Sequence, residues 1–219
     1  MVYDAIIVGS GFGGSVAALR LSEKGYRVAV LEMGRRFARD DIAAANESPL
    51  SLFWMPGLGL RGFFTQRFFR HVNIAGGVGV GGGSLVYAAV LLEPKAAFCA
   101  DSAWSNMGID WQAELRPHYR LALKMLGVAT CPVRTMQDDY LKETAERFGV
   151  GESYGPVPLG IYFGRTGVES PDPYFDGAGP PRTGCTSCGS CLAGCEAGAK
   201  NSLDKNYLYL AEQAGAQIL

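Results

Sequence analysis

The sequence predicts an α/β fold, a parallel sheet with flanking helices into which one long excursion is inserted. Three observations predict it. Residues 5 to 32 read as strand, glycine turn, helix and strand, the pattern of a βαβ unit. From Asp40 the hydrophobic period is lost for a long stretch. The last residues return to a helix followed by the start of another strand. At 219 residues the chain is long enough for one core plus an appendage, given about 150 residues per domain.

Composition narrows the function classes. Twenty basic residues against 21 acidic ones leave a net charge of -1, which provides no electrostatic footprint for nucleic acid. A hydrophobic content of 48% is ordinary for a globular chain and excludes disorder. Glycine is the outlier, at 30 residues, about twice the usual share of ~7%.

Taken in order, Ala5-Ile-Ile-Val8 is an apolar run expected of a strand covered on both faces. Gly9-Ser-Gly-Phe-Gly-Gly14 leads into a helix over Ser15 to Lys24, stopped at Gly25, and Arg27 to Glu32 forms the next strand. Between Asp40 and Asn73 aromatic residues alternate with Arg61, Arg67 and Arg70. That segment reads as a long crossover packed over the first unit; a membrane-facing lid is the weaker alternative. Ile74 to Leu92 carries no charge over 19 residues, close to a spanning length of ~20. Six of these are glycines, each costing ~1 kcal/mol in a helix, so the stretch reads as backbone in close approach followed by a buried strand. Asp110-Trp111 begins a helix that Pro117 restarts and Gly127 ends, and Gln137 to Phe148 forms another, stopped by Gly149. Residues 150 to 184 read as irregular loop. Ser202 is placed to cap a final helix, ended by Gly215, and Ala216 to Leu219 begins a strand. A chain that stops there reads as truncated. The expected division is residues 1–39 and 185–219 as parts of one nucleotide-binding domain, with 40–184 as the covering excursion and a second glycine-rich loop at 76–88 within it.

Gly9-x-Gly11-x-x-Gly14 stands in the context a dinucleotide fingerprint requires, with a strand before, a helix after and an acid about 20 residues on. In such a Rossmann-like unit Gly9 makes the turn, Gly11 lets backbone reach a pyrophosphate, and Gly14 lets helix and strand pack closely. The helix N-terminus favours the phosphates, and Glu32 is placed for the adenosine ribose. A Walker loop is excluded because Ser15 stands where lysine is needed, and no Gly-x-Ser-x-Gly elbow occurs.

The second block, Gly79-x-Gly-Gly-Gly83-Ser-Leu-Val-Tyr87, suits a flavoprotein, in which diphosphate and isoalloxazine ring both need close backbone. Together with Val8 to Ser15 and Gly198-Ala-Lys-Asn-Ser-Leu-Asp-Lys-Asn-Tyr207, it resembles the glucose-methanol-choline (GMC) oxidoreductases, nearest to their cholesterol-oxidase-like bacterial branch. The resemblance implies FAD as cofactor, with Gly9, Gly11, Phe12, Gly13 and Gly14 around its diphosphate and Glu32 at its ribose. Gly83, Ser84, Tyr87 and Ala88 would line the flavin. It implies oxidation of a hydrophobic or steroid-like alcohol by hydride transfer to flavin N5, with dioxygen or a redox protein as electron acceptor. Members with sterol as substrate usually carry Asn-Gly where this chain has Tyr87-Ala88, a departure that puts sterol itself in question. The family's catalytic histidine comes from a C-terminal half. His71 and His118 match no such motif, so both read as structural, no catalytic residue is assigned, and this portion alone is expected to hold cofactor without turnover.

Cys185-x-x-Cys188-x-x-Cys191-x-x-x-Cys195 has the spacing of a bacterial ferredoxin run, with Glu196 in place of its proline. The candidate ligands Cys185, Cys188, Cys191 and Cys195 would hold an iron–sulfur cluster or zinc; packed thiols, or disulfides in an oxidising compartment, are the alternative. Two rival functions remain at this level: an NAD-dependent dehydrogenase sharing the first 32 residues, and an iron–sulfur electron-transfer module. No secretory signal precedes the first strand, and Arg35-Arg36 is an internal pair. The expectation is a cytoplasmic protein with no transmembrane segment and no nucleic-acid partner.

Overall fold

Strand β1 (Ala5–Val8) leads into helix α1 (Phe12–Ser22) and strand β2 (Val28–Leu31) in a computed structural model that describes residues 2–219. Helix α2 (Arg39–Glu47) follows. Its first turn carries Asp40 and Asp41, and Asp41 accepts the Ala38 N–H at 2.8 Å, so acids sit where the helix dipole favours them. The aromatic segment forms two antiparallel hairpins. Trp54–Met55 pairs with Leu60–Arg61, and β3 (Phe64–Phe68) pairs with β4 (Asn73–Gly77). Helix α3 (Trp111–Met125) is capped by Asp110, which accepts the Ala113 N–H at 3.0 Å. Helix α4 (Met136–Arg147) is capped by a reciprocal Thr135–Asp138 pair. Helix α5 (Tyr207–Gln213) and β5 (Gln217–Ile218) close the chain.

The sheet is parallel and three-stranded, with β2 between β1 and β5. Ala5 faces Val28 and Val8 faces Leu31, while Gln217 and Ile218 face Ala29 and Val30. Ala18 and Leu19 of α1, Val28 and Val30 of β2, and Leu208 and Ala211 of α5 form one buried cluster with Leu203 and Tyr207. Packing α5 on α1 therefore seats the last helix against the first βαβ unit. A second cluster, Phe63, Leu85 and Val86 with Ala45 of α2, joins the hairpin region to the turn after the second glycine block.

Several expectations change. β2 is buried on both faces, but β1 is an edge: Ile7 packs on the core while Ile6 and Val8 are 63% and 86% exposed. The stretch from residue 40 does not begin irregular, because α2 occupies its first turns. No strand follows the second glycine block; a 3-10 turn over Gly82–Leu85 takes its place, and Val90 makes only an isolated bridge to Leu159. Pro117 lies inside a continuous α3 and does not restart it. Ser202 precedes a 3-10 turn, and Asn206 caps α5 by accepting the Tyr207 N–H at 2.6 Å. Among the described residues no helix is long and apolar enough to cross a membrane.

Candidate functional site

The two glycine blocks lie against each other. A Cβ on Gly14 would fall 2.0 Å from the Gly9 carbonyl oxygen, so only glycine lets α1 start this close to the end of β1. A Cβ on Gly82 would fall 2.9 Å from Gly11 Cα, and Gly82 has φ +50°, so a side chain is excluded there by both contact and conformation. The opposite side of the loops is open. At Gly9, Gly11, Gly13 and Gly83 an added Cβ would meet no atom within 4 Å. The result is a side-chain-free cradle, with the N-terminus of α1 and its unpaired first-turn N–H groups on one side.

Hydrogen bonds hold the blocks in register. The buried Ser10 hydroxyl donates to Glu32 Oε2 at 2.6 Å and accepts the Gly81 N–H at 3.0 Å. Phe12 meets the Tyr87 ring edge-on at 5.9 Å between centroids. Ser84 is fully buried, donating to Gly81 O at 2.7 Å and accepting the Leu203 N–H at 2.9 Å. Ser84 therefore anchors the turn, while Gly83 and Ala88 remain at its surface. The Tyr87 hydroxyl donates to Asn201 O at 3.0 Å, and burial, with the Cys191 thiol adding to it, raises its pKa. Next to it Ala89 adopts φ +65° while fully buried, a strained conformation held by its surroundings.

Glu32 is more heavily engaged than its position in the sequence suggests. Oε2 accepts from Ser10 N and Oγ, and Oε1 accepts from Gly34 N at 3.0 Å and Gly79 N at 3.2 Å. Burial opposes its charge, but the Ser10 hydroxyl and the Gly34, Ser10 and Gly79 N–H groups outweigh it and hold the carboxyl below the usual range. It thus joins the first glycine turn, the end of β2 and the second glycine block. The roles of Ser10 and Lys200 were not visible in the sequence. Lys200 is 2% exposed and donates to Leu85 O, Tyr87 O and Cys191 O; burial pulls its ammonium down to about 8.

Cys185, Cys188, Cys191 and Cys195 line a single, mostly apolar cavity of about 960 Å3 with Leu159, Ile161 and Phe163. All are free thiols. The Ser187 N–H donates to Cys185 Sγ and the Lys200 N–H to Cys195 Sγ, both at 3.4 Å. The Ser190 N–H lowers the Cys188 thiol, whereas burial raises that of Cys191. Cys185, Cys191 and Cys195 pack on the buried Ala89, Ile161 and Ala199. Among the described residues no three histidine, cysteine, aspartate or glutamate side chains form a group able to hold a metal ion. As arranged, the thiols do not fit the predicted cluster. His71, in the turn closing the β3–β4 hairpin, and His118, on α3, are both exposed.

Residues 7–40 match the family model described as an NAD(P)-binding Rossmann-like domain. A cholesterol oxidase of Mycobacterium tuberculosis is 51% identical over 99% of this chain, which covers 38% of that protein. A long-chain-alcohol oxidase of Arabidopsis thaliana is 31% identical over 99% of this chain and 25% of its own length. An uncharacterized GMC-type oxidoreductase of Mycobacterium tuberculosis is 29% identical over 99% of this chain and 31% of its own. Among solved structures, pyridoxine 4-oxidase from Mesorbium loti superposes with a TM-score of 0.59 at 19% identity, over 100% of this chain and 42% of that one. That likeness bears on the fold alone. The chain spans well under half the length of these relatives.

Proposed function

We propose, from the chain's similarity over 99% of its length to a cholesterol oxidase and to a GMC-type oxidoreductase, that it is the N-terminal part of such an enzyme and holds FAD for oxidation of the CH–OH group of a lipophilic alcohol. The observation that carries the reading is the contact of the two glycine blocks, Gly82 against Gly11, with open space left at Gly9, Gly11, Gly13 and Gly83. One bare loop at a helix N-terminus suits a diphosphate. A second bare loop fitted to the first suits a ligand that extends past the diphosphate, as a flavin does. An NAD-dependent dehydrogenase would leave that second loop without a ligand.

In this reading the backbone of Gly9, Gly11, Phe12, Gly13 and Gly14 binds the diphosphate. Glu32 orients the loop and reaches the adenosine ribose. Gly83, Tyr87 and Ala88 line the ring, Ser84 fixes their turn from below, and the excursion over residues 40–184 shields the ring from water. When bound, FAD supplies the acceptor, at N5, for the hydride of the carbinol carbon; the chain's residues bind and orient it. The relatives named for cholesterol and for long-chain alcohols support an apolar alcohol as substrate class. No proton-transfer residue is assigned within this chain, and no step runs through the four cysteines.

Titrating purified protein with FAD, and separately with NAD+, tests the reading. The expected outcome is a yellow complex at one FAD per chain with a flavin visible band perturbed from that of free FAD, and no comparable response to NAD+. A well-folded, colourless protein that takes up no FAD from an excess would overturn it.

A further inference from the structure

Lys200 is almost fully buried, 2% exposed, yet it carries a charge. Its ammonium donates to Leu85 O at 2.8 Å, Tyr87 O at 3.2 Å and Cys191 O at 2.6 Å. An ammonium has three donors and no acceptor, so these three carbonyls saturate it. Among the described residues it makes no ion pair with a carboxylate. Burying a charge in this way is expensive unless its surroundings compensate it, and a hydrocarbon side chain would fill the same space more cheaply. The positions of its acceptors suggest what the charge does. Leu85 and Tyr87 are alternate residues of the turn that follows Gly83, and Cys191 lies in the cysteine loop. The same ammonium is 5.2 Å from the centroid of the Tyr87 ring, within range of a cation–π attraction.

We infer that Lys200 is a positioning residue for the flavin: it ties the Leu85–Tyr87 stretch to the cysteine loop and sets a positive charge behind the residues that line the ring, so that bound FAD is easier to reduce than free FAD. The inference rests on the FAD reading above and adds to it a residue whose charge tunes the cofactor. A neighbouring cation favours whichever state of a cofactor carries more negative charge, and reduction adds electrons. A purely structural role would need only the hydrogen bonds; this role needs the charge as well.

The test is the midpoint potential of the FAD-loaded protein, measured by dye-equilibrated reduction beside free FAD, for the native chain, Lys200→Arg and Lys200→Gln. The native protein should lie at a higher potential than free FAD. Lys200→Arg, which keeps the charge, should retain most of that elevation, and Lys200→Gln should lose it while still showing a folded circular-dichroism spectrum. A native potential equal to or below that of free FAD would overturn the inference, whether or not either variant folds. So would a folded Lys200→Gln protein with the native potential. Failure of the native protein to take up FAD at all would instead overturn the functional reading, and the inference with it.

Discussion

Glu32 shows how one residue serves two levels of organisation. Its two carboxylate oxygens accept four hydrogen bonds from Ser10, Gly34 and Gly79. A carboxylate offers about four lone-pair sites, so these bonds fix both oxygens in place, and a ribose hydroxyl reaching Glu32 would share one of them. Glu32→Gln keeps the shape but turns an N–H2 toward N–H donors. The expected cost is about 1–3 kcal/mol, the penalty for leaving a buried polar group unpaired, read as a lower urea midpoint without added cofactor. The pH dependence has a definite sign. The folded carboxyl is held below its usual range, so its stabilising contribution is complete above an unfolded pKa of ~4.3 and fades as pH falls through the folded value. Urea melts at pH 7 and pH 4 should therefore differ more for the native protein than for Glu32→Gln; equal differences would refute the assignment. The sequence marks Glu32 as the residue proposed for the ribose because the fingerprint is local. Its structural role was not legible, because one of its donors, Gly79, lies 47 positions away.

At the scale of elements, the glycines divide into those that face protein and those that face the cradle. Gly14→Ala drives a methyl into the Gly9 carbonyl at 2.0 Å and should destabilise the fold itself, with a lower melting temperature before any cofactor is added. Gly83→Ala places its methyl in open space, and Gly83 does not have a positive φ. It should melt close to the native protein yet bind FAD at least tenfold more weakly, the equivalent of ~1.4 kcal/mol. The reverse result, a destabilised Gly83→Ala with native FAD affinity, would remove the cradle from the argument. The same division explains what could be read in advance. Elements with their own signals were legible: the first βαβ unit, α3 with its Asp110 cap, and α4 ending before Gly149. α2 was hidden because its Ala-rich surface lacks a clear apolar stripe, although Asp40 and Asp41 marked its start. The two hairpins between residues 54 and 77 depend on pairing between strands of only two and five residues, which no local period announces. The four-cysteine spacing was legible as a pattern, but spacing alone does not set where the side chains point.

At the scale of the molecule, residues 182–208 hold the second glycine turn, the loop around Tyr174 and the end of α3 to the first βαβ unit. Lys200 reaches the glycine turn, Leu203 N–H reaches Ser84, and Tyr207 and Leu208 pack with α1 in the main core. Asn201 and Arg182 complete the set. Arg182 is 1% exposed; its guanidinium donates to Asn201 Oδ1 at 2.9 Å, to Pro180 O at 2.7 Å and to Lys205 O, and lies over the Tyr174 ring. Asn201 Nδ2 in turn donates to Gly127 O at 3.3 Å and Tyr174 Oη at 3.2 Å. Arg182 thus connects the loop around Tyr174, the end of α3 and the segment entering α5, three regions remote in sequence. Arg182→Met preserves bulk but removes the donor from the buried Asn201 Oδ1 and from the half-buried Pro180 and Lys205 carbonyls. Removing one side of such a network costs about 3 kcal/mol or more, or roughly 6–12 °C in melting temperature for a chain of this size. Because Arg182 makes no contact with the glycine cradle, FAD affinity measured well below the melting transition should stay within about threefold of native, less than ~1 kcal/mol. Differential scanning calorimetry and FAD titration on the same preparation separate the two. A variant that melts like the native protein would show that the three regions are held by packing alone, and one that keeps its stability but loses FAD would move Arg182 into the binding site.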